Sequence, residues 1–257
     1  MTQIKTNNNC LTSSNYFEPF FVGLFEGDGC IHIGKTKGGK WSYGRFQIRL
    51  KALPENEVML KLIHHHLGGS LCYNKSKKHH PKIVWVAVSQ KSTRQILNIF
   101  EKYPLLTSRK ICQLNHLKQC MDNRSWSYHL ETRDHRYDKQ QQMVEYYQQN
   151  FIRPNYFGPW LSGFIEAEGC FRSTHTLSVY VGQNHDWYIL NAIKTYFHSH
   201  HKLGIHKDIR TQAIQYRLSM SGKPTIENII KHFEKNPLLG YKKVSYDLFC
   251  ERYLSRS

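Results

Sequence analysis

The sequence contains two related stretches, FVGLFEGDGC at residues 21–30 and LSGFIEAEGC at residues 161–170. Each stretch combines small residues, large apolar residues and two carboxylates, and each ends in an acid, a glycine and a cysteine. The similarity extends further, because residues 16–31 align without gaps on residues 156–171. Self-similarity at such a long period indicates that one structural unit occurs twice.

A second block also recurs, as FEKYPLLTSRK at residues 100–110 and FEKNPLLGYKK at residues 233–243. The repeat therefore covers nearly the whole chain. Between the copies lies a polar segment rich in Gln, Asp and Arg, with helix expected only around residues 139–149. We predict a first repeat over 1–121, a linker over 122–155 and a second repeat over 156–257.

The charge of the chain favours a polyanionic partner. The 257 residues are 40% hydrophobic, which is enough for one large domain or two ordinary ones with a buried core. Lys and Arg number 36 against 19 Asp and Glu, giving a net charge of +17. Such a surplus repels itself unless it serves a polyanion. Nucleic acid is the leading expected partner, and an anionic membrane surface is the lesser one.

Cysteine and histidine usage shows neither a disulfide framework nor a common zinc motif. The seven cysteines are odd in number and include no C-x-x-C pair, which favours a reducing compartment. The sixteen histidines show no H-E-x-x-H or paired Cys/His spacing. No apolar run approaches the roughly 18 residues of a membrane span, and nucleic acid rather than a membrane remains the expected partner.

The hydrophobic pattern of each copy gives the order helix, two strands, helix, two strands and two helices. After the opening motif, helices are predicted at residues 56–67, 92–102 and 108–121, and strands at LCYNKS and KIVWVAV. A Gly-rich, Lys-bearing hairpin loop is expected at GKTKGGKWSYG, residues 34–44. We therefore predict an α+β fold of two pseudosymmetric αββαββα repeats.

Each opening motif is predicted to form a short helix of about ten residues. Pro19 and Pro159 stand where the helix would begin, and Gly29 and Gly169 where it would end. Small residues stand four apart on one face, which lets two helices approach closely, so we expect the two motif helices to pack on each other. The pairs are Gly23 with Gly27 and Gly163 with Ala167. The apolar residues expected to face the two cores are Phe21, Leu24, Phe25, Leu161, Phe164 and Ile165.

This packing would place Asp28 and Glu168 side by side at two helix C-termini. The neighbouring like charge and the helix dipole both oppose a carboxylate there. Divalent cations remove that penalty, and Mg²⁺ prefers hard oxygen ligands that leave room for water and phosphate. Glu26 and Glu166, two residues earlier, are expected on the helix flank. A shared metal site that acts on a phosphodiester follows from the two acids.

The motifs VGLFEGDG and SGFIEAEG, together with the FEKxPLL blocks, resemble those of the LAGLIDADG homing endonucleases in their single-chain, two-motif form. The resemblance implies a monomer whose antiparallel, saddle-shaped sheets lie in the major groove of double-stranded DNA. It implies site-specific cutting of both strands at a long, partly symmetric target, leaving 3′ extensions. It also implies that Asp28 and Glu168 hold Mg²⁺, with Mn²⁺ or Ca²⁺ able to occupy the site, helped by main-chain oxygens of Gly27 and Ala167.

Alternating strands supply candidate base-reading residues. RFQIRLK places Arg45, Gln47, Arg49 and Lys51 on the face opposite Phe46, Ile48 and Leu50. Arg pairs with guanine and Gln with adenine in the major groove. In the second copy the candidates are Tyr180, Gln183, Gln215, Arg217 and Ser219, with Ser178 beside them. Loop lysines are expected to contact phosphates: Lys35, Lys37, Lys40, Lys75, Lys77, Lys78, Lys202 and Lys207.

The family resemblance also assigns a basic residue five positions after the proline of FEKxPLL, beside the metal-bound water. This rule selects Arg109 in the first copy and Lys242 in the second. Arg109 departs from the pattern, because Arg does not give up its proton and can only stabilise charge. Lys110 and Lys243 are the neighbours that could substitute. Gln47 and Gln183 are expected to position solvent in the two half-sites.

Two other functions remain open at this point. An RNA-binding maturase that assists splicing of its intron would also need a basic groove, but it would not need both acids. A DNA-binding regulator would bring a helix-turn-helix segment, and none stands out. The family resemblance implies an organelle, mitochondrion or chloroplast, if the gene lies in an organelle intron, and a cytoplasmic or nuclear setting otherwise.

Overall fold

The computed structural model describes residues 13–38, 42–74, 80–207, 209 and 214–256. The first repeat begins with a helix, a hairpin and a second helix, and continues with another hairpin and two helices. Its elements are α1 (Ser14–Asp28), β1 (Gly29–Lys35), β2 (Ser42–Lys51), α2 (Pro54–Leu67), β3 (Ser70–Asn74), β4 (Lys82–Ala87), α3 (Gln90–Lys102) and α4 (Ser108–Asn123).

The second repeat has the same order of elements. They are α7 (Phe157–Glu168), β5 (Gly169–Ser173), β6 (Leu177–Asn184), α8 (Trp187–Tyr196), β7 (Gly204–Lys207), β8 (Ile214–Ser221), α9 (Lys223–Lys235) and α10 (Lys242–Leu254). The predicted α+β class and the pseudosymmetric repeat are confirmed. Each copy closes with two helices, so its full order is αββαββαα.

The segment between the two sheets is more helical than its sequence predicts. It contains α5 (Trp126–Thr132), a short 3₁₀ turn (Arg133–His135) and α6 (Gln140–Asn150). Only α6 was expected. Val144 on α6 is buried and Tyr147 packs against Tyr188, so apolar contacts hold this mostly polar helix on the core.

Each sheet is antiparallel and has four strands, in the order β1-β2-β4-β3 in the first repeat and β5-β6-β8-β7 in the second. The pairing register places Cys30 opposite Gln47 in the first sheet and Cys170 opposite Tyr180 in the second. One face of each sheet packs on helices, and the other carries polar side chains. Among the described residues, no helix is long and apolar enough to cross a membrane.

Aromatic and branched side chains fill the two cores, as the sequence predicts. The rings of Phe21 and Trp85 meet edge to face at 5.6 Å, and Phe171 meets Phe233 at 5.6 Å in the second core. The six apolar motif residues expected to face the cores are fully buried. Burial of each such side chain contributes about 2–3 kcal/mol to folding.

The motif helices are longer than the predicted ten residues. Helix α1 begins at Ser14, so Pro19 lies inside it rather than at its start. The prediction was wrong because the extra turn buries Tyr16 and Phe17, which offsets the hydrogen bond that an internal proline removes. In α7 the helix begins at Phe157, and Pro159 lies in the first turn, where it is well tolerated.

Candidate metal centre and DNA-facing surface

Helices α1 and α7 cross in direct backbone contact. A Cβ added to Gly23 would lie 1.9 Å from the carbonyl oxygen of Trp160, and one added to Gly163 would lie 1.9 Å from that of Phe20. Neither position accepts any side chain larger than hydrogen. The predicted packing of the two motif helices through their small residues is confirmed, and it fixes the relation between the two repeats.

The same contact brings the helix C-termini together. A Cβ on Gly27 would lie 2.3 Å from the Cβ of Ala167 and 3.3 Å from Oε1 of Glu168. Glu168 therefore lies over the last turn of the opposite helix, next to Asp28. The carbonyls of Gly27 and Ala167 belong to the final turns, where helix carbonyls have no partner within the helix.

The two carboxylates disfavour each other's charge. Partial burial and then the charge of Glu168 raise the pKa of Asp28 to about 7, while Lys242 opposes the shift. Burial also raises the pKa of Glu168, against the charges of Lys242 and Lys110. Solvent still reaches Asp28, and a cleft of about 690 Å³ opens beside it. Such a pair is destabilising unless a cation is bound.

The donor set fits a hard divalent cation. Two carboxylates and two helix-end carbonyls provide oxygen ligands, and the open cleft leaves positions for water or phosphate oxygens. No sulfur or imidazole ligand belongs to this set. Asp28, Glu168 and the main chain of Gly27 and Ala167 would hold the ion.

Glu26 and Glu166 have a role that the sequence did not reveal. Glu26 is buried, and it accepts hydrogen bonds from the backbone N–H groups of Leu106 and Thr107 at 2.8 and 2.5 Å and from the Trp160 indole at 2.8 Å. Burial raises the pKa of the Glu26 carboxyl, and these donors oppose the rise. Through Glu26, helix α1 therefore fixes the position at which α4 of the same repeat begins.

Glu166 performs the same task in the second repeat. Its carboxylate accepts from the backbone N–H groups of Gly240 and Lys242 at 3.1 and 2.9 Å. Burial raises the pKa of Glu166 as well, and the Lys242 N–H opposes this. Each motif helix thus carries two acids with different roles. One, Asp28 or Glu168, faces the candidate metal centre, and the other, Glu26 or Glu166, holds the start of a helix that bears a basic residue.

The basic residue of the first repeat at the centre is Lys110, not Arg109. The Lys110 ammonium is buried and donates a hydrogen bond to the carbonyl of Gly29, directly after Asp28. The Arg109 guanidinium is exposed and lies 5.3 Å from the ring centroid of Tyr137. This placement contradicts the choice of Arg109 and selects the neighbour named as its substitute.

Lys242 of the second repeat lies close enough to both acids for its charge to act on them. It lines the cleft with Asp28, and its charge is the leading influence that lowers the pKa values of both acids. Its neighbour Lys243 turns outward and forms an ion pair with Asp247 at 2.5 Å. The two amines that flank the acids are therefore Lys110 and Lys242, which differ by one position in the aligned blocks.

We expect Lys110→Met to slow single-turnover DNA cleavage by about 10²-fold or more, because it removes a preorganised positive charge at the centre. Burial lowers the pKa of the Lys110 ammonium below its ordinary value. Arg109→Met is the matched control and should cleave at close to the wild-type rate. A larger loss in Arg109→Met than in Lys110→Met would contradict this assignment.

The four base-reading candidates on β2 lie together on the polar face of the first sheet. Arg49 and Lys51 are exposed, and Arg45 donates to the Gln47 side chain at 2.9 Å. On the neighbouring strand β1, His32 pairs with Arg45 and lies on the same face. Burial and the charges of Arg45 and Arg49 lower the pKa of His32, so it is neutral at physiological pH. Lys35 and Lys37 are exposed near the hairpin tip.

The second sheet presents a matching face. Arg217 donates to the Gln215 side chain at 2.9 Å, and Ser219 is exposed opposite Tyr180. Arg172 on β5, which the sequence reading missed, lies 5.1 Å from the ring centroid of Tyr180. The alternation of β5 could have predicted it, since Arg172 follows the buried Phe171 and therefore lies on the opposite, polar face.

Gln183 is not the counterpart of Gln47. Because Cys30 pairs with Gln47 and Cys170 with Tyr180, the position equivalent to Gln47 belongs to Tyr180. Gln183 lies on the core side of β6 and donates to Asp186 at 3.4 Å. The prediction that Gln183 positions solvent in the second half-site, as Gln47 does in the first, was wrong. It overlooked that Gln183 and Tyr180 point to opposite faces of β6.

The remaining basic positions divide into two groups. Lys202 and Lys207 are exposed near β7, as expected of loop lysines. The predicted phosphate contacts at Lys40, Lys75, Lys77 and Lys78 lie outside the described residues, as does part of the 34–44 hairpin loop.

Comparison with known proteins agrees with this architecture. A family model described as LAGLIDADG endonuclease matches residues 21–121 and 161–253, which include both motif helices. A protein of Dictyostelium citrinum, named probable intron-encoded endonuclease aI3, is 33% identical over 90% of this chain and 92% of its own length. A protein of the same name in Debaryomyces hansenii is 30% identical over 94% of this chain, which spans only 39% of that relative.

Solved structures share the fold at lower identity. The LAGLIDADG meganuclease I-AabMI bound to uncleaved DNA superposes with a TM-score of 0.64 at 19% identity, over 93% of this chain and 91% of its own. I-SmaMI, bound to an uncleaved DNA target in the presence of calcium ions, gives a TM-score of 0.61 at 17% identity, over 93% and 91%. With the matched motifs and the paired helices, these findings show that the chain belongs to the LAGLIDADG endonuclease family.

Proposed function

We propose that this protein is a site-specific, metal-dependent DNA endonuclease that cuts both strands of a long, partly symmetric target and leaves 3′ extensions. The observation that carries the proposal is the pairing of Asp28 with Glu168 across a glycine-mediated helix contact. A family member that had lost cleavage would have no need to keep two mutually repelling acids there. The polar sheet faces on either side supply the surface for duplex DNA.

The residues divide the work of hydrolysis. A bound Mg²⁺ would lower the pKa of water and stabilise the leaving oxygen. Asp28 and Glu168 would hold this ion where the two repeats meet. Lys110 and Lys242, one from each repeat, lie beside the acids and stabilise the negative charge that develops on the phosphate. Glu26 and Glu166 position these amines through the backbone of α4 and α10.

The surface charge supports DNA as the partner. Arg45, Arg49 and Lys51 on one sheet and Arg172 and Arg217 on the other are suited to guanine edges and phosphates. The Arg–Gln hydrogen bonds on β2 and β8 hold these side chains in fixed orientations. Less side-chain conformational entropy is therefore lost when DNA binds. We expect a monomer to bind one target, since one chain carries both half-sites.

The relatives named intron-encoded endonucleases support an intron-encoded origin. The setting is an organelle if that intron lies in an organelle genome, and cytoplasmic or nuclear otherwise. A role as an RNA maturase is the alternative. That role uses the basic surface but not the paired acids, so the acids favour cleavage.

The test uses a plasmid that carries the uninterrupted exon junction of the host gene. The protein should linearise this plasmid with Mg²⁺, leave it supercoiled with EDTA, and leave a plasmid with a scrambled junction uncut. Sequencing of the ends should show 3′ extensions. Binding to the junction, or to intron RNA, without any cut in Mg²⁺ or Mn²⁺ would overturn the endonuclease proposal and favour the maturase.

A further inference from the structure

A second cluster of ligand-type side chains lies where α4 meets the linker, apart from the carboxylate centre. His116 and Cys120 are four residues apart on α4, so they share one helix face. The chain leaves α4 through Arg124, which has a positive φ of 48°, and returns along α5. This turn brings His129 against the other two. His116 and Cys120 are buried, and His129 is partly buried.

The distances between the three ligand atoms form a nearly closed triangle. Nε2 of His116 lies 3.2 Å from Nδ1 of His129, and Sγ of Cys120 lies 3.6 Å from the first and 3.9 Å from the second. With Zn–N of about 2.05 Å and Zn–S of about 2.3 Å, a tetrahedral site places two nitrogens about 3.3 Å apart and nitrogen and sulfur about 3.6 Å apart. The cluster is close to that geometry before any ion is added.

Hydrogen bonding alone does not account for all three contacts. An imidazole nitrogen is either a donor or an acceptor, never both, and the thiol has one proton. At most two of the three contacts can therefore be hydrogen bonds in the neutral cluster. A central cation uses a lone pair from each atom and satisfies all three at once.

We propose that His116, Cys120 and His129 bind a zinc ion, with water in the fourth position, that fastens the start of the linker to α4. The two nitrogens and one sulfur are borderline-soft ligands that suit zinc and do not suit Mg²⁺. Arg133 and Arg136 lie close enough to His129 to influence it, so a dication needs the negative charge of the thiolate. Coordination breaks the Cys120 S–H bond, forms the Zn–S bond and releases the proton to solvent.

Neighbouring side chains partly enclose the cluster. Trp126 packs against His129, with ring centroids 4.9 Å apart, and shields one side of the cluster. The ion would link the last turns of α4 to α5, and so restrict the segment that connects the two repeats.

The experiment measures zinc in the full-length protein by mass spectrometry after dialysis into metal-free buffer. Wild type and Cys72→Ser, which changes an exposed cysteine outside the cluster, should each retain about one zinc per chain, and Cys120→Ser should lose it. Asp28→Asn should also retain zinc, which separates this site from the carboxylate centre. Equal zinc in wild type and Cys120→Ser, or none in wild type, would overturn the proposal.

A cobalt titration of the chelator-treated protein gives a second readout. Co²⁺ in the site should produce a thiolate-to-cobalt charge-transfer band in wild type and in Cys72→Ser, but not in Cys120→Ser or His129→Gln. Circular dichroism verifies that each variant is folded. A folded wild type that takes up Co²⁺ without the charge-transfer band would contradict ligation by Cys120.

Discussion

Asp28→Asn is expected to reduce DNA cleavage to below about one thousandth of the wild-type rate while leaving target binding almost unchanged. The substitution removes one of the two carboxylates proposed to hold the cation, but it keeps the shape of the side chain. The proposed base-reading faces lie on the sheets and do not depend on Asp28. Single-turnover cleavage in Mg²⁺ and a binding titration in Ca²⁺ measure the two effects separately.

The same variant should be more stable than wild type when no metal is present. The pKa of Asp28 is raised to about 7 in the folded protein, against about 3.9 when unfolded. The folded state therefore binds the proton more tightly, and the stability of wild type falls as pH rises between these values. Asn carries no such charge, so the stability difference should favour the variant most at pH 8 and vanish near pH 4.

Asp247→Asn, on the exposed surface of α10, is the matched control and should change neither cleavage nor stability appreciably. Adding Mg²⁺ should raise the melting temperature of wild type and of this control, but not that of Asp28→Asn. Cleavage by Asp28→Asn at near the wild-type rate would show that the metal centre is not where the two acids meet.

Gly23→Ala is expected to destabilise the folded state by about 3 kcal/mol or more, although it adds a single methyl group. That methyl would lie 1.9 Å from the backbone oxygen of Trp160, and backbone cannot rotate away as a side chain can. Helices α1 and α7 would have to separate, which also pulls Asp28 away from Glu168. Denaturant unfolding measures the loss of stability, and cleavage should fall with it.

Gly38→Ala tests whether the effect belongs to the contact rather than to glycine itself. A Cβ at Gly38 meets nothing within 4 Å, so this variant should lie within about 0.5 kcal/mol of wild type. Gly163→Ala should repeat the loss seen in Gly23→Ala, because the two contacts are equivalent. A neutral Gly23→Ala would mean that the helices do not touch at this point.

The sequence predicts the fold well because its strongest signals are local and occur twice. Small residues at four-residue spacing, such as Gly23 and Gly27, specify the helix contact without knowledge of the rest of the chain. Alternation in RFQIRLK likewise predicts which face of β2 is buried, and Phe46 and Ile48 lie there. The repeat strengthens each prediction, because the same pattern in the second copy independently predicts the same element.

The site is less predictable where tertiary contacts shift the register. In the first repeat Glu26 holds the N–H groups of Leu106 and Thr107, and α4 begins at Ser108. In the second repeat Glu166 holds the N–H groups of Gly240 and Lys242, and α10 begins one aligned position later. The first repeat brings Lys110 to the acids and the second brings Lys242, which is one aligned position earlier, and the aligned sequence blocks contain no sign of this difference. The His116–Cys120–His129 cluster was missed for a similar reason, because it depends on the turn at Arg124.

The contacts between the two repeats come in equivalent pairs, and this symmetry suggests how a two-repeat chain arises. Tyr16 donates to the carbonyl of Pro237, and Tyr156 donates to that of Pro104 at 2.6 Å, which is the same contact made in both directions. Two surfaces related in this way form an isologous interface, the kind found in twofold-symmetric homodimers. A chain with one repeat alone would expose a face complementary to itself and would pair with an identical copy. Under the proposed function, the covalent linker would free each half to recognise a different DNA half-site.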